Sequence, residues 1–369
     1  ECFKLKGEQN RDINEKQLEM RMHKAMSVIQ FKVEGQIIKK NPGFHLEDRN
    51  LLDKIDYERG AITLDGKEYE MLDINFPTID PKHPYALSKD EEEIMSRLES
   101  AFLNCEKLQD HMRFLLNKGG LYKVYNGNLL YHGCVPLKED GTLKSVRLYG
   151  RSYKGKSLYE VLESYVRKGF YALNKKEKER GKDMMWYIWL SENSPLFGKD
   201  KMATFERYFL AEKETHKEKK NPYYNLLENE KVINMILKEF GLTEESAHII
   251  NGHVPVKAIT GESPIKCNGK VLVIDGGFSR AYQKQTGIAG YTLIYNSYGL
   301  ILAAHEPFES TEAAIEKESD IHSDSVVVKR VLERKLVGDT DIGQELKEQI
   351  EDLKMLLQAY RSGEITERV

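Results

Sequence analysis

Apolar residues recur at three- and four-residue intervals over residues 13–40, where Leu18, Met22, Met26, Ile29 and Val33 fall on one stripe. That spacing predicts an amphipathic helix. Residues 48–58 read as a continuation of the helical region. Ile62-Thr63-Leu64-Asp65-Gly66-Lys67 reads as a hairpin, because Asp-Gly supplies the positive φ values of a two-residue turn. Pro77, Pro81 and Pro84 mark an irregular, extended segment. Helical spacing returns over residues 89–118, with Ile94, Leu98, Phe102 and Leu103 as the expected core face.

The period changes after Lys118-Gly119-Gly120. Leu121 to Tyr125 and Asn128 to His132 are joined by Asn126-Gly127, a strong hairpin signal. Residues 157–174 and 227–240 are helical in pattern, and strand-like runs follow at 247–251, 270–275, 290–295 and 299–304. The charge-dense runs Lys175 to Lys182 and Glu212 to Lys220 read as solvated loops or helix faces. The basic residues between Lys168 and Lys182 coat a helix in this reading, and do not bind nucleic acid. Trp186 and Trp189 are expected in the core. Near the end, Ile342, Leu346, Ile350, Leu353 and Leu357 predict an amphipathic helix docked on the domain. No internal repeat stands out.

A chain of 369 residues suggests two domains, or one large domain with insertions. A hydrophobic fraction of 40% can fill a core, and a net charge of −3 argues against general nucleic-acid affinity. No run of about 18 apolar residues suggests a spanning helix. Cys2, Cys105, Cys134 and Cys267 form no Cys-x-x-Cys pair, so free thiols in a reducing cytosol fit best, and the expected location is cytoplasmic. The first residue is Glu1 and not Met, which reads as a processed, trimmed or partial chain. The polar opening residues do not read as a signal peptide.

One motif points to nucleotide chemistry. Gly150-Arg151-Ser152-Tyr153-Lys154-Gly155-Lys156-Ser157 fits the phosphate-loop pattern, and Val271 to Asp275 resembles the accompanying apolar strand. Such a loop needs a buried parallel strand before it. Leu143 to Tyr149 instead alternates polar and apolar residues, as a half-exposed antiparallel strand does. A tight turn into a helix, with Ser157 near the cap, is the better account.

Two histidines share a different setting. Leu129-Leu130-Tyr131-His132-Gly133 and Ile249-Ile250-Asn251-Gly252-His253 each deliver an imidazole at a strand end beside a glycine. Either one alone reads as a structural histidine. As a pair they suit half of a metal centre, since phosphate-ester hydrolysis benefits from two cations about 3.5–4 Å apart.

Residues 128–133, and 251–253 with 271–277, resemble the fourth and fifth ligand blocks of the calcineurin-like metallophosphatases. Ser194 to Met202 with Thr204 to Phe209, Phe76 to Pro81, Ala304 to Phe308 and Asp339 to Gly343 resemble class III fructose-1,6-bisphosphatases, over a span from about Phe31 to the C-terminus. The resemblance implies an α/β (α+β) fold, a β-sandwich flanked by helices with helical insertions. It implies hydrolysis of fructose 1,6-bisphosphate to fructose 6-phosphate in gluconeogenesis, with manganese as two divalent ions. His132 and His253 would be metal ligands, and Asp275 would support that edge. Lys199, Lys201, Arg207 and Arg280 are the candidate substrate cations, because a sugar bisphosphate carries about four negative charges.

The superfamily's Asp-x-His, Gly-Asp-x-x-Asp and Gly-Asn-His blocks, which supply most ligands and the general acid, are not found before His132. Asp320-Ile321-His322 and Gly338-Asp339-Thr340-Asp341 imitate them in letters only. The expectation is therefore the C-terminal portion of a longer enzyme, inactive alone, with its catalytic residues upstream. A non-catalytic remnant of the same fold is the alternative. Its regions would be a helical segment 1–117, sandwich strands in 118–149 and 247–310, a helical insertion 150–246 and a helical tail 311–369. The expected partners are a sugar bisphosphate, the missing N-terminal half and a second copy in a homo-oligomer, with neither nucleic acid nor membrane.

Overall fold

The computed structural model describes residues 13–277, 279–307, 310–316, 323–330 and 333–366, the side chains of 280, 281, 313, 314, 329 and 330 excepted. Cys2, Phe308 and the Asp320-Ile321-His322 imitation of the first ligand block lie outside the described residues. The chain divides into two compact units, one of residues 1–121 and 136–223, the other of 122–135 and 224–369.

The first unit opens with α1 (Ile13–Lys40), as its spacing predicts. Only the second half of its stripe is covered. Ile29 is buried, but Leu18, Met22 and Met26 are exposed, and Phe31 and Ile38 carry the packing instead. Residues 48–58 do not continue that helix. Short 3-10 turns span Glu47–Arg49 and Leu51–Lys54, followed by β1 (Ile55–Asp56). Leu51, Leu52 and Ile55 are all buried with Phe31, Phe205 and Phe209, and that burial overrides a weak helical pattern. The Asp-Gly hairpin forms as expected between β2 (Ala61–Leu64) and β3 (Lys67–Glu70), with Asp65 and Gly66 at φ 51° and 77°.

Two helices, α2 (Lys89–Leu103) and α3 (Glu106–Lys118), occupy residues 89–118. Their expected core face is not core, for Ile94, Leu98, Phe102 and Leu103 are all exposed. What α2 does bury is Glu91, which closes a capping box with Ser88 and pairs with Lys32 at 2.7 Å.

β6 (Val146–Leu148) and β7 (Arg151–Tyr153) form a two-stranded antiparallel ribbon ahead of α4 (Gly155–Tyr171). The phosphate-loop imitation therefore lacks its parallel strand. The Ser157 hydroxyl accepts from Lys154 N at 3.2 Å, a capping role. α5 (Lys175–Leu190) lies against α4 where Gly169 and Gly181 meet, so close that a Cβ on Gly181 would stand 2.4 Å from Gly169 Cα. Trp186 is half-buried, but Trp189 is exposed, so the pair is not jointly core. The last helix of this unit is α6 (Thr204–Phe209).

The second unit holds β4 (Tyr122–Tyr125), β5 (Asn128–Tyr131), α7 (Glu230–Glu239), β8 (His248–Asn251), β9 (Ile265–Lys266) and β10 (Val271–Val273). It continues with α8 (Arg280–Thr286), β11 (Gly290–Asn296), β12 (Gly299–His305), α9 (Thr311–Glu316), β13 (Ser323–Arg330) and α10 (Asp341–Ser362). The Asn126-Gly127 hairpin forms as predicted. Five strands make a mixed sheet in the order β4-β5-β8-β10-β9, with β5, β8 and β10 parallel at its centre. β11, β12 and β13 make a separate antiparallel sheet.

Period-two alternation gives the mixed sheet two buried faces. Leu129, Ile249 and Val271 share one face, and all three are fully buried. Leu130, Ile250 and Leu272 share the other, in one apolar cluster with Leu293, Leu300 and Val328 of the second sheet. Two β layers packed on a common core result, with α7 contacting β8.

α10 is helical as predicted but not docked. Ile342, Leu346, Ile350, Leu353 and Leu357 are 46–64% exposed. Helical spacing states which side chains share a face, and not what covers it. No helix of the described residues is long and apolar enough to cross a membrane.

Candidate functional site

Because β5, β8 and β10 are parallel and adjacent, their C-terminal ends emerge along one edge of the mixed sheet. In open α/β sheets that edge is where ligands sit. β5 runs into His132-Gly133, β8 into Gly252-His253 and β10 into Asp275-Gly276-Gly277. Backbone bonds tie the three ends together. Gly252 N donates to His132 O at 2.9 Å and Ile274 N to Asn251 O at 2.9 Å. The Asn251 amide donates to Gly133 O at 2.9 Å, tying the β8 end to the β5 end.

This framework brings the two histidines into contact, although 121 positions separate them in sequence. His132 Nε2 lies 2.9 Å from His253 Nδ1, with ring centroids 4.8 Å apart and planes inclined at 66°. His132 is exposed and His253 half-buried, so the pair faces water. His253 has φ 67°, a left-handed backbone that costs a side-chain-bearing residue about 1–2 kcal/mol. A Val254 N to Gly252 O bond at 2.8 Å closes the turn that holds it. Strain held by surrounding structure at a strand end is a mark of functional sites. Partial desolvation keeps the His132 pKa below the ordinary imidazole value, against the pull of the Asp275 charge.

Asp275 stands beside this pair. A Cβ on Gly252 would lie 3.4 Å from Asp275 Cβ, and Asp275 Oδ1 accepts from Gly277 N at 2.9 Å. Among the described residues, no group of three His, Cys, Asp or Glu side chains is placed to hold a metal ion.

Lys199, Lys201 and Arg207 lie together in the first unit, each engaged by a carboxylate. Lys199 Nζ meets Glu218 at 2.9 Å, and Arg207 meets the same carboxylate at 3.4 Å while donating to His216 O. Lys201 lies 3.7 Å from Glu206, which is fully buried and already gripped by both terminal guanidinium nitrogens of Arg49 at 2.6 and 3.1 Å. Burial pushes the Glu218 carboxyl up, but the Lys199 bond and Ala203 N outweigh it and hold it below the usual range. Arg280 opens α8, with its side chain outside the described residues. Asn251 stood inside the histidine motif, but no sequence signal showed its tie to Gly133.

The mixed sheet with imidazoles at the carboxyl edge of its parallel strands defines a mixed α/β protein with a candidate site at the strand ends. Residues 1–362 match the profile of the family described as Firmicute fructose-1,6-bisphosphatase, and the chain belongs to that family. It is 56% identical over 375 residues to a protein of Alkaliphilus metalliredigens named fructose-1,6-bisphosphatase class 3, covering 100% of this chain and 56% of that protein. Proteins of the same name from Clostridium novyi and Clostridium tetani are 57% and 55% identical, covering 96% and 97% of this chain and 54% of each relative. The chain thus spans about half the length of the curated relatives it matches. No solved structure matches.

Proposed function

We propose that this chain carries the histidine side of the metal centre of a fructose-1,6-bisphosphatase, with His132 and His253 as ligands. The observation that carries the reading is the 2.9 Å approach of His132 Nε2 to His253 Nδ1 at the strand ends. Imidazole nitrogens are ligands for divalent transition-metal ions, and this approach brings two of them together at one place where they would hold an ion. The other ligands, and the group that protonates the leaving alcohol, would come from outside the described residues. The calcineurin-like form of the two-layer β core belongs to the same proposal.

When bound, two divalent ions, manganese in this reading, would polarise the phosphate ester and supply a hydroxide nucleophile. The chain's own residues bind and orient. The ties of Gly252 to His132 O and of Asn251 to Gly133 O fix the spacing of the rings. Asp275 adds negative charge beside His132. The substrate is fructose 1,6-bisphosphate. Lys199, Lys201, Arg207 and Arg280 remain the candidates for its phosphates. For the first three, phosphate would have to compete with Glu218 or Glu206. Arg207, 53% exposed, is the most available of these three.

Titrating Mn2+ into a protein of the relatives' length that contains this chain tests the metal reading by electron paramagnetic resonance. The expected outcome is a bound-ion signal that His132→Ala and His253→Ala each abolish while circular dichroism stays unchanged. Equal binding by wild type and both variants would overturn the assignment.

A further inference from the structure

The first unit contains a cavity of about 780 Å3 that the metal reading does not use. That volume is in the range of small-ligand sites. Its walls come from the end of α1 with the turn after it, from the β6–β7 turn and from the first turns of α5. Lys175, Lys176 and Arg180 contribute three cations. Among the described residues no carboxylate within 4.0 Å pairs with any of them. The two acids in the wall are paired within it by a fourth cation, Lys40, which lies 2.8 Å from Asp183 and 3.6 Å from Glu179, while Asn41 donates to Asp183 at 3.0 Å and Lys182 lies 3.5 Å from Glu179. The wall carries net positive charge beside the start of a 16-residue helix, where Asn174 caps Glu177 N at 3.1 Å and the N–H groups before it favour anions.

The second observation is the residue in the β6–β7 turn. Tyr149 and Gly150 have φ 46° and 85°, the two left-handed positions of a two-residue hairpin turn. Asn and Asp fill the first position readily, and among the described residues the other two such turns are Asp65-Gly66 and Asn126-Gly127. A tyrosine there is unfavourable for the backbone, so its ring points to a separate purpose. That ring is 39% exposed, lies 5.4 Å from the Arg180 guanidinium and leans on Phe44 at 6.2 Å and Tyr165 at 5.3 Å. It forms an aromatic wall beside a cationic one.

We propose that this cavity binds an aromatic phosphate ester, its ring against Tyr149 and its phosphate on Lys175, Lys176 and Arg180. Calorimetric titration of the metal-free full chain with phenyl phosphate, inorganic phosphate and phenol tests it, repeated in the His132→Ala background to exclude the strand-end site. Phenyl phosphate should bind at least tenfold more tightly than inorganic phosphate, and phenol not measurably. Tyr149→Asn should erase the advantage of phenyl phosphate, while the thermal midpoint holds or rises because asparagine suits the turn. Lys175→Glu, on an exposed side chain, should weaken both anions at least tenfold. Equal phenyl phosphate affinity in wild type and Tyr149→Asn overturns the proposal, and so does unchanged binding in Lys175→Glu or no saturable binding of either anion.

Discussion

Single residues show how burial decides chemistry here. Lys32 and Glu91 are buried together at 2.7 Å, and Glu91 also accepts from Thr78 Oγ1 at 2.6 Å and Ser88 N at 2.8 Å. Burial alone would raise the Glu91 pKa, but Lys32, Thr78 and Ser88 N outweigh it and hold it below the usual carboxylate value. Glu91→Gln should therefore leave a buried ammonium without its counter-ion and cost about 3–5 kcal/mol, read as a lowered urea midpoint. The folded carboxyl binds its proton less readily than the unfolded one. Its stabilisation is thus complete above the unfolded pKa of about 4.3 and is lost as pH falls through the lower folded value. A wild-type acid titration steeper than that of Glu91→Gln is the expected signature. Cys134 is fully buried, and its thiol is pushed up to about 12 by burial. Iodoacetamide at pH 8 should label exposed Cys105 and spare Cys134 until the chain unfolds, as peptide mass spectrometry would report. Early native labelling of Cys134 would contradict its placement.

At the level of elements, turns and strand periods were legible, and the partners of helical faces were not. Asp65-Gly66 and Asn126-Gly127 form turns because their φ preferences are local properties. The stripes on α2 and α10 are real, yet Leu98, Phe102, Leu353 and Leu357 meet solvent. Ile350→Gln on α10 should change stability by less than about 0.5 kcal/mol, as exposed positions do. Gly181→Ala is the opposite case. A methyl there meets the Gly169 backbone at 2.2 Å, so α4 and α5 must separate. The expected cost is at least about 2 kcal/mol, within the range of overpacked sites. Chemical denaturation of both variants checks the contrast. Equal stabilities would mean that α4 and α5 tolerate separation.

For the whole molecule, the proposed metal role of the strand-end histidines is what would link fold to activity. A protein of the relatives' length that contains this chain should release phosphate from fructose 1,6-bisphosphate in the presence of Mn2+. His253→Ala should lower that rate by at least about 100-fold, the scale associated with disturbed metal sites. A colorimetric phosphate assay gives the answer, and an undiminished rate would remove His253 from the centre.

The amino-acid order by itself determined the two strand-end histidines beside glycines, the hairpin turns and the family, because each depends on neighbours within a few positions or on extended similarity. It could not state that His132 and His253 touch, for that follows from β5 and β8 lying parallel and adjacent after a separation of 121 positions. Nor could it show that Lys199 and Arg207 share Glu218, or that the stripe of α10 lies open. Pairing between distant segments depends on which surfaces the fold brings together, and only the tertiary structure decided that.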